Sequence, residues 1–206
     1  MTTIKICGLT RPEDAEAAAE LGADLLGMVF AAASPRRLDL GRAAEIARAS
    51  EGAVRVGVFK HETLEDILAA IERARLSFVQ LQRPVSVGDV RALPVPVIAA
   101  IRRGDDAAAL PGEVLSRLRA VLLDDSEGAG KRSGWASLEV AERPRLPVDL
   151  FVAGGLDEAC VGDAIRRLRP DGVDVATGVE ASLGVKDRGR MERFIAAVRE
   201  ADRAAH

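Results

Sequence analysis

The chain has 206 residues, 48% of them apolar, which suits one substantial core and a single domain spanning residues 1–206. Its net charge of -3 leaves no basic face to track a phosphodiester backbone, which argues against nucleic acid as a partner. No run approaches the roughly 20 apolar residues of a membrane span, and the two cysteines, Cys7 and Cys160, form no C-x-x-C pair, so the expected location is the cytoplasm, without a membrane partner.

In chain order, the first strand is expected over Ile4 to Leu9. If Ile4 and Ile6 point one way, Lys5 and Cys7 share the other face, because strand side chains alternate. In a closed sheet that face is the interior, where an ammonium and backbone N–H groups would favour a thiolate. The plainer reading is a small buried cysteine beside a lysine. Because the two fall in different layers of a barrel, the Lys5 ammonium would alternatively serve a buried carboxylate such as Asp174. Thr10 stands as N-cap to a helix over Pro12 to Leu21, with Glu13 and Asp14 in its first turn and Gly22 closing it.

Strands follow at Leu25 to Phe30, Val54 to Phe59, Phe78 to Gln82, Val95 to Ile101, Ala120 to Asp124, Val148 to Ala153 and Gly172 to Ala176. Between and after them, apolar spacing near 3.6 predicts helices over Leu40 to Ala49, Thr63 to Ala74, Val87 to Leu93, Ala107 to Leu118, Ala136 to Ala141, Asp157 to Leu168 and Lys186 to Ala204. Eight strands alternating with eight helices imply an α/β fold, a single-domain (β/α)8 TIM barrel with some abbreviated helices around Asp105 to Pro111 and Glu127 to Trp135.

Barrel chemistry belongs at the C-terminal strand ends. Strand one ends near Cys7. Strand two runs into Ser34-Pro35-Arg36-Arg37, which is either a solvated basic loop or a source of guanidinium forks for a carboxylate or phosphate. Strand six ends in Asp124-Asp125; only one of the two faces inward, and an acid at the rim is a candidate general acid with a raised pKa. The glycine-rich Ser126 to Lys131 lacks the spacing of a P-loop. Strand seven ends in Gly154-Gly155 before Leu156-Asp157-Glu158, and strand eight in Ala176-Thr177-Gly178, the two positions that often build one phosphate site in barrels. Asp174 inside the last strand needs a partner or a ligand. Cys160, within the seventh helix, reads as a buried core cysteine. With only His61 and His206 in the chain, a histidine triad and a zinc cluster are both disfavoured.

These residues resemble the phosphoribosylanthranilate isomerase family over nearly the whole length. The likeness rests on Lys5-Ile6-Cys7-Gly8-Leu9-Thr10 with Glu13-Asp14-Ala15, Ser34-Pro35-Arg36, Val56-Gly57-Val58-Phe59, Val79-Gln80-Leu81, Leu122-Leu123-Asp124, Gly154-Gly155-Leu156, Asp174 to Glu180 and Gly184-Val185-Lys186-Asp187. The resemblance implies an Amadori rearrangement in tryptophan biosynthesis. N-(5-phosphoribosyl)anthranilate becomes 1-(2-carboxyphenylamino)-1-deoxyribulose 5-phosphate, with no metal or organic cofactor. By the same likeness Asp124 is the acid that opens the furanose ring and Cys7 the base that removes the adjacent carbon's proton. The phosphate of this small-molecule phosphosugar lies on Gly154, Gly155, Thr177 and Gly178, Arg36 meets the anthranilate end, and Asp174 holds a polar group of the sugar or rim. A monomer or homodimer is expected.

There are departures. Gln82-Arg83 stands where the family usually has His-Gly, Ala99 where strand five usually carries a lysine, and Glu127 to Trp135 half matches the usual loop. They keep open a non-catalytic or substrate-shifted phosphosugar-binding paralogue. A ribulose-phosphate epimerase is disfavoured, since its metal-binding histidines are missing.

Overall fold

Eight short parallel strands close into a barrel in chain order: β1 (Thr3–Ile6), β2 (Leu25–Val29), β3 (Val54–Phe59), β4 (Phe78–Leu81), β5 (Val97–Ile101), β6 (Leu118–Leu123), β7 (Asp149–Val152) and β8 (Gly172–Val175), with β8 pairing back onto β1. A computed structural model describes residues 1–102, 105, 110–124 and 147–204. Among the described residues seven helices surround the barrel: α1 (Pro12–Glu20), α2 (Leu40–Ala49), α3 (Leu64–Ala74), α4 (Val87–Ala92), α5 (Gly112–Leu115), α6 (Val161–Leu168) and α7 (Arg188–Ala204). The expected helix over Ala136 to Ala141, the second acid Asp125 and the glycine-rich loop Ser126 to Lys131 lie outside the described residues. Among the described residues no helix is long and apolar enough to cross a membrane.

The strands are runs of Val, Ile, Leu and Ala because both of their faces are covered. Outward-facing Ile4, Ile6, Leu26, Val79, Leu81, Val121, Leu123 and Val152 pack with Ala15, Ala18, Ile46, Ile67 and Phe194 of the helices. Inward-facing Leu25, Val56, Ile98, Ala120, Leu122, Phe151 and Ala153 fill the barrel, and Cys7, Val29 and Val58 form a small layer above them. At about 1.5–3 kcal/mol per large apolar side chain, this two-sided burial drives closure.

One alternation runs through every strand, and it assigns faces. Leu122 lies in the interior, so Asp124 follows it onto that face. Ile98 is also interior, so Ala99 points outward into the helical core and Ala100 is the inward residue beside it. Ala99, the departure noted on strand five, thus turns its side chain to the outer core while it still borders the cavity.

Several local expectations change. The N-cap of α1 is Arg11, without a side-chain cap, because the Thr10 hydroxyl donates to the Gly184 carbonyl instead. Helix α6 starts at Val161: the Asp157 carboxylate accepts the Ala159 and Cys160 N–H groups, each 3.0 Å away, and this turn holds residues 157–160 out of the helix. Cys160 is thus the buried N-cap residue, its thiol 3.6 Å from the Gly155 carbonyl. Helix α5 shrinks to four residues, and Leu118, expected at a helix end, begins β6. After β8 a short 3-10 turn (Thr177–Val179) leads to an unexpected hairpin, β9 (Glu180–Ser182) and β10 (Val185–Lys186), before α7.

Candidate active site

A cavity of about 670 Å3 opens at the C-terminal ends of the strands, and Cys7, Arg36, Asp124, Gly154, Gly155, Asp174, Thr177 and Gly178 all line it. The residues named by sequence reasoning therefore share one site.

Cys7 leaves β1 at the rim, its N–H donating to the Val175 carbonyl at 2.8 Å. In the layer below, Lys5 is fully buried and its ammonium meets Asp174 Oδ2 at 2.8 Å across the β1–β8 pair, where the two residues are in register. The Lys5 charge also acts on the thiol. Burial is the larger effect, however, and it pushes the Cys7 thiol above its ordinary value, with Lys5 and Lys186 pulling the other way and Asp174 adding to the rise. The expectation of a thiolate favoured by a neighbouring ammonium is thus half met: the cation is present, and desolvation outweighs it. Burial likewise raises Asp174, against the opposing pull of Lys5.

Arg36 crosses directly over Gly8, where a side-chain carbon would collide with the Arg36 Cδ and where φ is +73°. Gly8 is required there on both counts. The guanidinium is partly committed. Its Nε and Nη2 bond both oxygens of Glu180 at 2.6 and 2.7 Å, and Nη2 also reaches the Thr177 hydroxyl at 3.2 Å. Only part of the fork is left to face a ligand.

Glu180 and Lys186, which sequence reasoning gave no role, form the ion network that holds Arg36 beside the cavity. Glu180 sits at the start of β9 and Lys186 at the end of β10, so the hairpin brings them face to face: Lys186 Nζ lies 3.1 Å from Glu180 Oε1 and 3.0 Å from the Ala176 carbonyl. Burial would raise Glu180, but the Arg36 hydrogen bonds and the Lys186 charge outweigh it and hold its carboxyl below the usual range. Reading Lys186 as the first residue of a helix hid this pairing. In its place, a lysine and a glutamate six residues apart around Leu183-Gly184 were the available hairpin signal.

This network gives a test. Lys186→Met is expected to slow alkylation of Cys7 by iodoacetamide at neutral pH about tenfold, its pH profile moving upward, because a cation that favours the thiolate is gone. Lys186→Arg should stay near the wild-type rate. A Cys160→Ser background removes the second thiol. An unchanged rate in Lys186→Met would take Lys186 out of the thiol's electrostatic environment.

On the opposite side, Gly154 and Gly155 hold φ of +92° and +66°, which turns bare backbone toward the cavity. Gly178 packs so closely that a side-chain carbon would collide with the Leu156 carbonyl oxygen, joining the β7 and β8 turns backbone to backbone. Because α6 starts six residues after Gly155, no helix terminus meets these turns. Of the departures, Gln82 and Arg83 both line the cavity, and Arg83 forks onto Asp89 of α4 at 2.6 and 2.8 Å.

A closed parallel barrel with a thiol, a carboxyl and paired glycine turns around one cavity at its C-terminal rim defines a (β/α)8 enzyme of small phosphorylated metabolites. A family model described as N-(5'phosphoribosyl)anthranilate (PRA) isomerase matches residues 4–197. The chain belongs to this family, and it is an aldose-ketose isomerase of tryptophan biosynthesis. It is 38% identical over 208 residues to N-(5'-phosphoribosyl)anthranilate isomerase of Dechloromonas aromatica, covering 98% of each chain. Among solved structures, monomers generated from the dimeric enzyme of Thermotoga maritima superpose with a TM-score of 0.80 at 32% identity, over 97% of this chain and 100% of that one. Another isomerase, in complex with reduced 1-(o-carboxyphenylamino)-1-deoxyribulose 5-phosphate, gives 0.77 at 32% identity over the same shares.

Proposed function

We propose that this chain isomerises N-(5-phosphoribosyl)anthranilate with Asp124 as acid and Cys7 as base, within one domain spanning residues 1–206. The observation that carries the assignment is that both side chains face one cavity from β1 and from the end of β6. Asp124 gives its proton to the ring oxygen, the C1′–O bond breaks, and the nitrogen lone pair forms an iminium. The iminium acidifies the neighbouring carbon, so the Cys7 thiolate takes the C2′ proton and the electrons form an enolamine. Ketonisation then moves a proton onto C1′ and removes one from the C2′ hydroxyl.

The phosphate rests on the backbone of Gly154, Gly155, Thr177 and Gly178. The part of the Arg36 fork not taken by Glu180 meets the anthranilate carboxylate. Asp174 holds a polar group of the sugar through Oδ1. The Thermotoga relative, described as dimeric, makes a monomer or homodimer the expected assembly, and a base that must be a free thiol suits the reducing cytoplasm.

Adding the protein to phosphoribosylanthranilate, without added metal, is expected to abolish the fluorescence of that substrate. Unchanged fluorescence at high protein concentration would overturn the isomerase assignment.

A further inference from the structure

Two buried acceptors have no hydrogen-bond partner among the described residues: Gln80 Oε1 and Asp174 Oδ1. Gln80 lies in β4 between Val79 and Leu81, both of which join the outer core, so its amide points into the barrel, where it lines the same cavity as Cys7 and Asp124. It is 1% exposed. A buried polar atom left unpaired is costly and uncommon, so a retained one calls for a donor from elsewhere.

The substrate's parts narrow the choice. Its phosphate and carboxylate are anionic and accept hydrogen bonds, so neither can satisfy an acceptor; its donors are the sugar hydroxyls and one anilino N–H, which the carboxylate ortho to it on the ring engages. In the eight-strand ring β4 stands opposite β8, so Gln80 and Asp174 flank the cavity from facing walls.

We propose that Gln80 is a specificity-determining residue: its side-chain carbonyl, with Asp174 Oδ1 on the facing wall, accepts hydrogen bonds from the sugar hydroxyls and so selects a hydroxylated chain between the phosphate and the aromatic ring. The proposal rests on the isomerase assignment above and adds a subsite to it.

Gln80→Met keeps the length of the side chain and deletes the acceptor. Two ligands are compared by calorimetry on wild type and variant: reduced 1-(o-carboxyphenylamino)-1-deoxyribulose 5-phosphate, and an analogue carrying a hydroxyl-free five-carbon chain between the same amine and phosphate. The variant is expected to bind the hydroxylated ligand about tenfold more weakly and the hydroxyl-free one as well as the wild type does. Its Tm is expected to rise by a few degrees, because an unpaired buried group has been removed. Gln80→Leu repeats the comparison with a different apolar shape. Equal losses for both ligands together with a lower Tm would mark a structural glutamine and overturn the proposal, as would unchanged affinity for the hydroxylated ligand. Wild-type turnover, measured alongside, tests the isomerase assignment separately: a wild type that binds both ligands and consumes no substrate sinks that assignment alone.

Discussion

Cys7→Ser and Asp124→Asn are each expected to lower kcat by about 10²–10⁴-fold while binding of the reduced product analogue stays measurable, the range that general acid–base groups contribute. Serine at position 7 keeps the size of the group and loses the ionisable thiol. Asparagine at position 124 keeps the shape and loses the acidic proton. The reason the loss should be large lies in the charges around the sulfur. Lys5, Lys186 and Arg36 carry three positive charges, and Asp174 and Glu180 carry two negative ones. Burial raises the thiol, and the charges of Lys5 and Lys186 pull it back toward the thiolate. The pH sign follows: turnover should climb with pH on its acid side as Cys7 ionises, and the climb should sit higher in Lys186→Met. The neighbouring acid provides the control. With Leu122 inside the barrel, Asp125→Asn is expected to keep near-wild-type turnover. Full activity in Asp124→Asn with loss in Asp125→Asn would reverse the choice of face.

Much of this site could be read from the sequence because it depends on a period of two. Once Ile4 and Ile6 are outside, Cys7 is inside, and the same rule carries Asp124 once Leu122 is known to be interior. The Lys5–Asp174 pair was legible for a different reason: a charge inside an apolar strand needs a partner, and β1 closes on β8 in any (β/α)8 barrel. What could not be read are contacts that no local pattern encodes. Arg36 meets Glu180 across 144 positions of sequence, so a loop arginine that looked free for a ligand is half engaged by the protein. The hairpin at residues 180–186 went unseen, with Lys186 taken as a helix start, since a short strand pair beside a long amphipathic segment leaves no period of its own. Thr10 fits the composition of an N-cap, but its hydroxyl is drawn to Gly184, which comes near only after the chain closes. The Asp157 turn similarly takes four residues from α6 that propensity assigns to the helix. The family resemblance supplied the roles of acid and base, which alternation alone could not give.

Lys5→Met is expected to destabilise the fold by about 3–5 kcal/mol, the cost of breaking a buried ion pair from one side. Lys5 is fully buried, and among the described residues its ammonium is the one charge partner bonded to Asp174 Oδ2, at 2.8 Å. Oδ1 already lacks a partner, so the variant leaves a carboxylate with no donor among the described residues. The effect should depend on pH in a definite direction. Burial holds Asp174 above the ordinary carboxylate range even in the wild type, and loss of Lys5 removes the main opposing pull. A carboxyl whose folded-state pKa exceeds its unfolded value binds more protons when folded, so stability falls as pH rises through that interval. Lys5→Met should therefore be least destabilised in mild acid and most destabilised near neutral pH. The double variant Lys5→Met/Asp174→Leu removes both charges from the barrel and should recover most of the lost stability, because an apolar pair of similar volume often matches a buried ion pair. It should not recover turnover, since the oxygen proposed to hold the sugar is gone. Urea midpoints for wild type, single and double variants at two pH values measure all of this. A loss under about 1 kcal/mol in Lys5→Met, or a double variant no more stable than the single one, would show that the pair is not what holds the barrel's interior charge in place.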